Sequence, residues 1–563
     1  MKKVWKKRLI AMATVLLIAP VVLSGCKGGS KTESAPKDSD GNIIMKIGQQ
    51  TQPNSKLPEG DTYDNNAYRR LIKEKLGIDI QSSFEATGDD YTRQVSLAIA
   101  SGDIPDMMAV SRDELEELVD NDLVADLSDV YEKYASDNIK SIYDSFDDMQ
   151  LDAATFDGKL MAIPGTANDF GPNMVWIRQD WLDKLSIKLD QDGNNAITLD
   201  ELQSTAKAFK ENDPDNTGKA VGAAFLPYLT SGDHGGSGFT ATAIANAFGA
   251  FPKQYLEDSD GKLYYGSNTE EMKDTLSYLK SWYDQGLLDP QFGTRTFDDI
   301  TAMMVNGELG IVPGPWHLSD WSLVQAKTAN PNALFTPFAL ENENGDGKVN
   351  GISKPSTGSF IVIRKGFENP EALIKIINLI FDEVPNSKDM ATEFPEIYSY
   401  AQSAVDGSVR PVNIELFKNL SEIDDAVQAS QAAEGKTSID DITNFTVKNN
   451  ALKIKAYLDD PTGSDPTDWA VYASRLLAVN NVMNGVREAG IFNEIKPPVI
   501  LDKIDATERN GAQIAKLEEE TFIKFITGEE SIDKFDQYAK TWNKQGGTAI
   551  IEEMQKALEK QED

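Results

Sequence analysis

The chain has 563 residues, of which 40% are hydrophobic and 9% aromatic, so it is not globally disordered and is long enough for two or three domains. Its formal net charge of −35 argues against nucleic-acid binding, because phosphate recognition relies on lysine and arginine concentrated on one face. Only two histidines, His234 and His317, and one cysteine, Cys26, are present. No intramolecular disulfide can therefore form, and no His-Glu-x-x-His zinc motif occurs.

The N-terminus has the organisation of a secretory signal peptide. Five basic residues precede an uncharged run from Leu9 to Leu23, and this run of about 15 residues is shorter than the ~20 that a membrane-spanning helix needs. The run ends in Leu23-Ser24-Gly25-Cys26, which resembles the lipobox of bacterial lipoproteins. We therefore expect residues 1–25 to be removed and Cys26 to carry acyl chains that anchor the protein to a membrane surface. An ordinary secretory signal followed by a stray cysteine is the alternative.

Residues 26–42 form a predicted flexible spacer, because they are rich in Gly, Ser, Lys, Asp and Pro and almost devoid of apolar side chains. Strands are predicted at 43–47, 78–80 and 105–110, with amphipathic helices between them. This alternation is typical of an α/β protein with a mostly parallel sheet covered by helices. The second half of the chain is richer in predicted helix, and its last apolar stripe contains Ile551, Met554 and Leu558.

Several short sequence segments, taken together and in this order, resemble segments of the extracellular solute-binding lipoproteins of carbohydrate ABC importers. The resemblance is to the family 1 type, which is similar to maltose- and alginate-oligosaccharide-binding proteins. The segments lie at residues 101–106, 157–164, 175–182, 286–290, 306–310, 314–316 and 369–372. The resemblance implies a type II, two-lobed periplasmic-binding-protein-like fold, each lobe a sheet flanked by helices, with a hinge of several crossing segments. We expect the first lobe to comprise 43–168 and 356–400, and the second 169–355 and 401–563.

The same resemblance implies that the protein is not an enzyme but captures an oligosaccharide in the cleft between its lobes. It would deliver this ligand to the ABC permease subunits in the membrane, as a lipid-anchored monomer on the extracellular face of the cell membrane. Sugar sites combine flat aromatic platforms with a few fixed polar groups. The residues predicted to contact the ligand are therefore aromatic or polar residues in or beside loops: Trp176, Trp316, His317, Asp169, Arg178, Tyr228 and Phe239. For Trp176 and Arg178, packing in the core and surface ion pairing are the alternatives.

Residues 190–201 fit the twelve-residue EF-hand calcium loop. The predicted ligands of a structural calcium ion are Asp190, Asp192, Asn194, the carbonyl of Ala196, Thr198 and Glu201. Asn195 stands where glycine is usual, and asparagine tolerates a positive φ better than most residues. The alternative is a metal-free turn that caps the following helix. The second acidic loop, 213–219, is similar to the calcium loop of alginate-type binding proteins but lacks their acidic residues after the lysine.

Two other functions stay open on the residues alone. A secreted glycoside hydrolase would need a carboxylate pair, and 90 acidic residues offer many pairs whose separations the sequence does not reveal. A surface adhesin stabilised by calcium is the third possibility. Neither Gly-x-Ser-x-Gly nor Gly-x-x-x-x-Gly-Lys-Ser/Thr is present to indicate a serine hydrolase or a P-loop enzyme.

Overall fold

The computed structural model describes residues 36–53, 55–403 and 405–562, and the signal segment and Cys26 lie outside them. Within these residues the strands are β1 (Ile43–Thr51), β2 (Ile78–Thr87), β3 (Met107–Val110), β4 (Thr155–Phe156), β5 (Lys159–Leu160), β6 (Ile163–Pro164), β7 (Ala167–Gly171), β8 (Met174–Arg178), β9 (Ala196–Ile197), β10 (Tyr255–Glu257), β11 (Leu263–Tyr265), β12 (Ile311–Gly314), β13 (Phe335–Leu340), β14 (Val349–Ser356), β15 (Phe360–Ile363) and β16 (Phe492–Ile495).

The helices are α1 (Ala67–Leu76), α2 (Asp89–Ser101), α3 (Arg112–Asp120), α4 (Ser128–Tyr134), α5 (Asp137–Asp144), α6 (Met149–Ala153), α7 (Gln179–Leu185), α8 (Leu199–Asn212), α9 (Thr242–Ala247), α10 (Glu270–Asp284), α11 (Phe297–Val305), α12 (Leu323–Ala329), α13 (Glu371–Asn378), α14 (Met390–Glu393), α15 (Pro395–Gln402), α16 (Ser421–Ala433), α17 (Phe445–Asp459), α18 (Pro466–Val471), α19 (Gly485–Glu488), α20 (Asp505–Thr527), α21 (Phe535–Trp542) and α22 (Thr548–Glu562). Among the described helices, none is both long enough and apolar enough to cross a membrane.

The predicted helix after the first strand is confirmed as α1, and its boundaries follow from its sequence. The Asn66 side chain accepts hydrogen bonds from the backbone N–H groups of Tyr68 and Arg69, which caps the N-terminus. Gly77 ends the helix in the left-handed conformation at φ 65°. Ile72 is fully buried, so the apolar face of the helix packs on the sheet.

The first lobe contains a five-stranded sheet in the order β2-β1-β3-β15-β6. The strand β1 runs parallel to β2 and β3, whereas β15 is antiparallel to both β3 and β6. The sheet is therefore only half parallel, because β15 enters it from the opposite direction after a long excursion of the chain. One consequence is geometric: β1, β3 and β6 all end at the edge where β15 begins.

The core of the first lobe combines residues from 45–163 with residues from 360–416. Val409, Val412, Ile414 and Leu416 are buried in this core, although they follow residue 400, where we expected the first lobe to end. Residues 36–42, the last part of the expected spacer, are also fastened to this lobe. Asp38 accepts hydrogen bonds from Asn42 and pairs with Lys73 at 2.9 Å, and these contacts hold the pKa of its carboxyl well below the usual range.

The second lobe contains a four-stranded sheet in the order β12-β8-β13-β9. The strand β8 is antiparallel to both of its neighbours, so β12 and β13 both end beside the start of β8. Two large cores cover this sheet, and the helices α20, α21 and α22 contribute to one of them. Its buried aromatic residues include Trp181, Phe209, Trp282, Phe525 and Trp542.

A three-stranded sheet in the order β16-β14-β7 joins the lobes. The strand β7 leads from the first lobe into the second, and β14 returns antiparallel to it with Ile352 opposite Gly171. The chain crosses again after Phe417, whose N–H donates to Thr166 Oγ1. Gly351 permits the close approach of the two crossing strands, because a Cβ atom there would lie 2.0 Å from the carbonyl oxygen of Gly171.

A buried carboxyl group lies in the helical part of the second lobe. Glu518 on α20 is only 1% exposed and accepts hydrogen bonds from Tyr265 Oη at 2.9 Å and Ser267 Oγ at 3.1 Å. Burial raises the pKa of Glu518 from 4.5 to about 7. The unfolded chain therefore releases this proton at a lower pH than the folded chain does.

We expect the free energy of unfolding to fall as the pH rises from about 5 to 8, by at most about 3 kcal/mol from Glu518 alone. Below pH 4.5 Glu518 is protonated in both the folded and the unfolded state, so its ionisation does not destabilise the fold. Above pH 7 the folded state carries the full cost of ionising the buried carboxyl group. In urea titrations at several pH values, Glu518→Gln should remove this part of the slope and be the more stable protein at pH 8. If the free energy of unfolding depends on pH equally in the wild type and in Glu518→Gln, Glu518 is not the source of this pH dependence.

Candidate functional site

The edge where the lobes meet is the candidate functional site. In the first lobe β1, β3 and β6 end there, and in the second lobe β12 and β13 end there. Loops beyond the carboxyl ends of strands carry ligand sites in open α/β sheets. The loops in question follow β1, β3 and β12, so the side chains at the start of these loops face the space between the lobes.

The turn after β12 carries a row of contacting rings, which we call the aromatic ridge: Trp316, His317 and Trp321. Trp316 and His317 meet edge to face at 90°, and His317 and Trp321 are tilted by 55°. Ring centroids are 4.8 Å apart between Trp316 and His317 and 4.7 Å apart between His317 and Trp321. Trp316 and His317 are half-buried, whereas Trp321 is 52% exposed. An exposed indole is unusual in a chain whose other tryptophans are mostly buried, and Trp321 was not among the residues predicted from the sequence.

Charged groups flank the aromatic ridge. The guanidinium of Arg475 lies 4.9 Å from the Trp316 ring centroid and also pairs with Asp320, which accepts a further hydrogen bond from Ser474 Oγ at 3.0 Å. Burial raises the pKa of the nearby Glu422 to about 7, although the charge of Arg475 opposes this shift. The ridge therefore has apolar faces with hydrogen-bonding groups beside them.

Two of the predicted ligand contacts lie beneath the ridge instead of on it. Trp176 is fully buried in β8, and its Nε1 donates to the carbonyl oxygen of Pro315 at 3.2 Å. Phe239 is also fully buried, with its ring 4.7 Å from that of Phe297. Neither ring offers a face to solvent in this structure, and the Trp176 bond fixes the start of the turn that carries the ridge.

Arg178 is buried in an ion-pair network. Its Nε and Nη2 donate to the two oxygens of Asp180 at 2.7 Å, and Nη2 also donates to Asp215 at 3.1 Å. Lys184 Nζ donates to the other oxygen of Asp215 at 3.0 Å. All of these groups belong to the second lobe, and the network ties β8 and α7 to the loop after α8.

The glycine-rich loop that follows Tyr228 reaches the ridge through His234. Tyr228 is 43% exposed. In the loop, the carbonyl oxygen of Gly232 accepts from Gln254 Nε2, and His234 Nε2 accepts from the Trp316 N–H at 3.4 Å. Burial lowers the pKa of His234 to about 3, so its imidazole is neutral and can accept this bond. Asp169, the remaining predicted contact, lies in the crossing strand β7 opposite Lys354 of β14.

The predicted calcium loop folds into a turn between α7 and α8. Asn195 has φ 61°, the left-handed conformation that the sixth position of an EF-hand loop requires. Its backbone N–H donates to Asp190 Oδ1 at 3.1 Å, and the N–H of Ala196 donates to Asn194 Oδ1 at 2.7 Å. Burial and the charge of Asp192 raise the pKa of Asp190.

The far end of this loop also caps a helix. Glu201 accepts from the Thr198 N–H at 3.0 Å and from Thr198 Oγ1 at 3.1 Å, which forms a capping box at the start of α8. Within residues 36–53, 55–403 and 405–562, no three His, Cys, Asp or Glu side chains converge closely enough to hold a metal ion.

The second acidic loop, 213–219, is satisfied by groups of the protein itself. Asp213 accepts from the Gly218 N–H at 2.6 Å and from Thr217 Oγ1 at 3.0 Å. Asp215 receives the two cationic side chains described above, Arg178 and Lys184. The two cations therefore neutralise the Asp215 carboxylate without a metal ion.

A cavity of about 470 Å³ lies between the lobes and was not predicted from the sequence. Its walls come from the start of α3, the crossing strand β14, the segment before β10 and residues 498–508. Gly232 of the glycine-rich loop packs against Lys253 of this wall. Because the same loop reaches Trp316 through His234, the cavity and the aromatic ridge lie on one edge of the second lobe.

Curated relatives match this chain over half to nearly all of its length. The polygalacturonan/rhamnogalacturonan-binding protein YtcQ of Bacillus subtilis is 24% identical over 568 residues, which cover 98% of this chain and 99% of that protein. The fructooligosaccharide ABC transporter substrate-binding protein FusA of Streptococcus pneumoniae is 23% identical over 323 residues, 54% of this chain and 57% of FusA.

Solved structures share the fold. The alginate-binding protein AlgQ2, solved without calcium ion, has a TM-score of 0.54 at 17% identity, covering 95% of this chain and 100% of that one. An EF-hand mutant of the S. pneumoniae protein FusA, solved in complex with fructo-nystose, has a TM-score of 0.58 at 15% identity, covering 92% and 99%. These similarities confirm the predicted two-lobed α/β fold.

A family model described as bacterial extracellular solute-binding protein matches residues 67–392, more than half of the chain. Proteins of this kind bind a solute for an importer and do not transform it, so the protein is a binding protein and not an enzyme. The observed features agree with this conclusion, since the lobes meet at an edge that carries exposed rings and a cavity. The chain belongs to the bacterial extracellular solute-binding protein family.

Proposed function

We propose that the protein binds an oligosaccharide between its two lobes and delivers it to an ABC permease. The observation that carries this proposal is the aromatic ridge, which exposes Trp321 at the edge where the lobes meet. Relatives named for polygalacturonan, rhamnogalacturonan and fructooligosaccharide binding support a carbohydrate as the solute.

The ridge has the chemistry that a sugar requires. A pyranose or furanose ring presents apolar C–H groups on its faces and hydroxyl groups around its rim. The indole of Trp321 offers a flat apolar face, while Arg475 lies over the ring of Trp316 and pairs with Asp320. A sugar stacked on the ridge would therefore have charged hydrogen-bonding groups close to it.

We infer separate roles for the predicted contact residues. Trp316, His317 and Trp321 form the stacking surface, and Tyr228 and Asp169 lie along the same interlobe edge. Trp176 and Phe239 act beneath this surface, and Arg178 acts as a buried structural cation. These last three residues stabilise the fold of the second lobe and do not contact the ligand.

We propose that the first lobe runs to residue 164 and resumes from 357 to about 416, and that the second lobe comprises the rest of the folded chain. The lobes would close around the ligand by bending at the crossing strands and at residues 417–420. Closure is favoured by contacts that the ligand makes with both lobes at once.

Lipid anchoring belongs to the same proposal. Cleavage before Cys26 and acylation of its thiol would attach the protein to the extracellular face of the membrane. Residues 36–42, the last part of the expected spacer, are held on the first lobe and would not move independently of it. A monomer tethered in this way can turn and dock while its lipid stays in the bilayer.

We also propose a structural calcium ion in the loop 190–201, held by Asp190, Asp192, Asn194, the Ala196 carbonyl, Thr198 and Glu201. The left-handed Asn195 and the charge repulsion between Asp190 and Asp192 support it. The ion would neutralise these carboxylates and link the end of α7 to the start of α8. The FusA neighbour is an EF-hand mutant, which fits such an ion, and the AlgQ2 neighbour was solved without calcium ion.

Trp321→Ala is expected to weaken oligosaccharide binding by about 1–3 kcal/mol, because the variant loses a flat apolar surface against the sugar. Titration calorimetry with fructo-oligosaccharides and oligogalacturonides measures this loss. The matched control is Tyr264→Ala, which removes another exposed ring of the second lobe, in β11, away from the turn that follows β12.

The control should bind like the wild type, and Trp321→Ala should unfold at the same temperature as the wild type because the ring is exposed. Unchanged affinity in Trp321→Ala would show that the ridge is not the sugar platform. Chromatography of the same mixtures tests the hydrolase alternative, since cleaved oligosaccharide would overturn the binding function.

Calcium is expected to raise the unfolding temperature of the wild type, and a chelator should reverse this rise. Asp192→Asn should abolish the response with little other effect, since Asp192 is exposed and its hydrogen bond from Asn194 can also be accepted by an amide oxygen. Asp213→Asn in the second loop is the control and should keep the full response. Differential scanning calorimetry measures this rise in the unfolding temperature. If calcium raises it equally in both variants, the loop 190–201 does not bind the ion.

A further inference from the structure

The interlobe cavity of about 470 Å³ falls within the usual size range of small-molecule sites. Apolar residues such as Tyr255, Phe360 and Ile504 line part of its wall. The wall also contains four cationic side chains, Arg112, Lys253, Lys354 and Lys503, and three acidic ones, Asp113, Asp502 and Glu508. It therefore carries a small excess of positive charge in a chain whose net charge is −35.

Arg112 is the cation whose hydrogen-bonding capacity is least used. It begins α3 at the end of β3, and its guanidinium lies 4.4 Å from the ring centroid of Phe156. Its side chain is 22% exposed, and its Nε and Nη1 are buried without a hydrogen-bond partner. Its Nη1 forms an ion pair with Glu116 Oε2 at 3.6 Å, a distance too long for a hydrogen bond.

Unmade hydrogen bonds at a buried guanidinium are costly, and this cost is a reason to expect an anionic partner. Burial lowers the pKa of Arg112, which shows how far the group is removed from solvent. Asp113 and Asp502 are the other negative groups that face it. Asp113 is exposed, and Asp502 is already paired with Lys560 at 2.9 Å.

The other charges of the wall are largely matched by neighbours. Lys253 pairs with Glu519 at 3.3 Å, and Lys503 pairs with Glu508 at 3.0 Å. Lys354 comes from the crossing strand β14, so the cationic wall includes both lobes and the hinge. An anion bound beside Arg112 would therefore gain attraction from several directions and would also bridge the lobes.

We propose that this cavity is a subsite for a uronate residue of an acidic oligosaccharide, whose carboxylate accepts hydrogen bonds from the unpartnered donors of Arg112. The proposal rests on the proposed function, because it specifies the acidity of the sugar bound between the lobes. The apolar wall residues suit the faces of a sugar ring, whereas an inorganic anion would leave them without a partner. The subsite explains how so acidic a protein can bind an acidic ligand.

Calorimetry with trigalacturonate and with its fully methyl-esterified, uncharged form tests the subsite. We expect the wild type to bind the charged compound at least about tenfold more tightly, because a charge-assisted hydrogen bond contributes more than a neutral one. Added salt should weaken the charged compound only. Inorganic phosphate at the same concentrations should not compete, and competition would show a simple anion site instead of a uronate subsite.

Arg112→Gln should bind the charged compound about tenfold or more weakly and the esterified compound as the wild type does. Arg112→Lys keeps the charge and should retain an intermediate affinity, which covers the case in which the first variant is misfolded. Arg93→Gln is the control, because Arg93 is an exposed arginine of the same lobe that pairs only with Asp90.

These measurements distinguish failure of the uronate subsite from failure of the proposed function. If the wild type binds the esterified trisaccharide or a neutral fructo-oligosaccharide at least as well as trigalacturonate, the uronate subsite is wrong and the proposed function stands. If it binds no oligosaccharide of either kind, the proposed function itself fails. Equal loss in the Arg112 and Arg93 variants would also overturn the subsite.

Discussion

The pairing of β7 with β14 is the constraint on which the rest of the structure depends. The two strands cross between the lobes in opposite directions, with Ser356 opposite Ala167 at one end and Ile352 opposite Gly171 at the other. Because they leave the first sheet at the edge where β1 and β3 end, the loops after those strands must face the second lobe. The crossing therefore creates the binding edge as well as the hinge.

Tight packing behind this edge holds the binding groups in place. The indole of Trp176 hydrogen-bonds the carbonyl oxygen of Pro315, and the neutral imidazole of His234 accepts from the N–H of the next residue. Two buried polar groups thus fix the backbone from which Trp316 and Trp321 project. A rigid turn of this kind loses little conformational entropy when a ligand stacks on it.

The sequence predicted the local elements of the first lobe well, because these depend on short-range patterns. The strand-helix alternation from β1 to β3 follows from hydrophobic periodicity and from Asn66 and Gly77, which bound α1. Trp176, Arg178 and Phe239 were predicted to contact the ligand, whereas all three are buried in this structure. Periodicity cannot tell which buried side of a central strand a ring occupies. Trp321 had a usable signal, since it ends the turn Trp316–Asp320 that follows Gly314 and Pro315.

The cavity could not be predicted from the sequence either, because its walls come from segments that are far apart in the chain. Arg112, Lys354 and Lys503 come from three distant parts of the chain, and only the crossing of β14 brings them together.

Small-angle X-ray scattering of the purified chain, with and without the oligosaccharide that binds it most tightly, tests the central claim most directly. We predict a smaller radius of gyration with ligand, because the lobes close at their shared edge. Saturating binding with an unchanged scattering curve would contradict it.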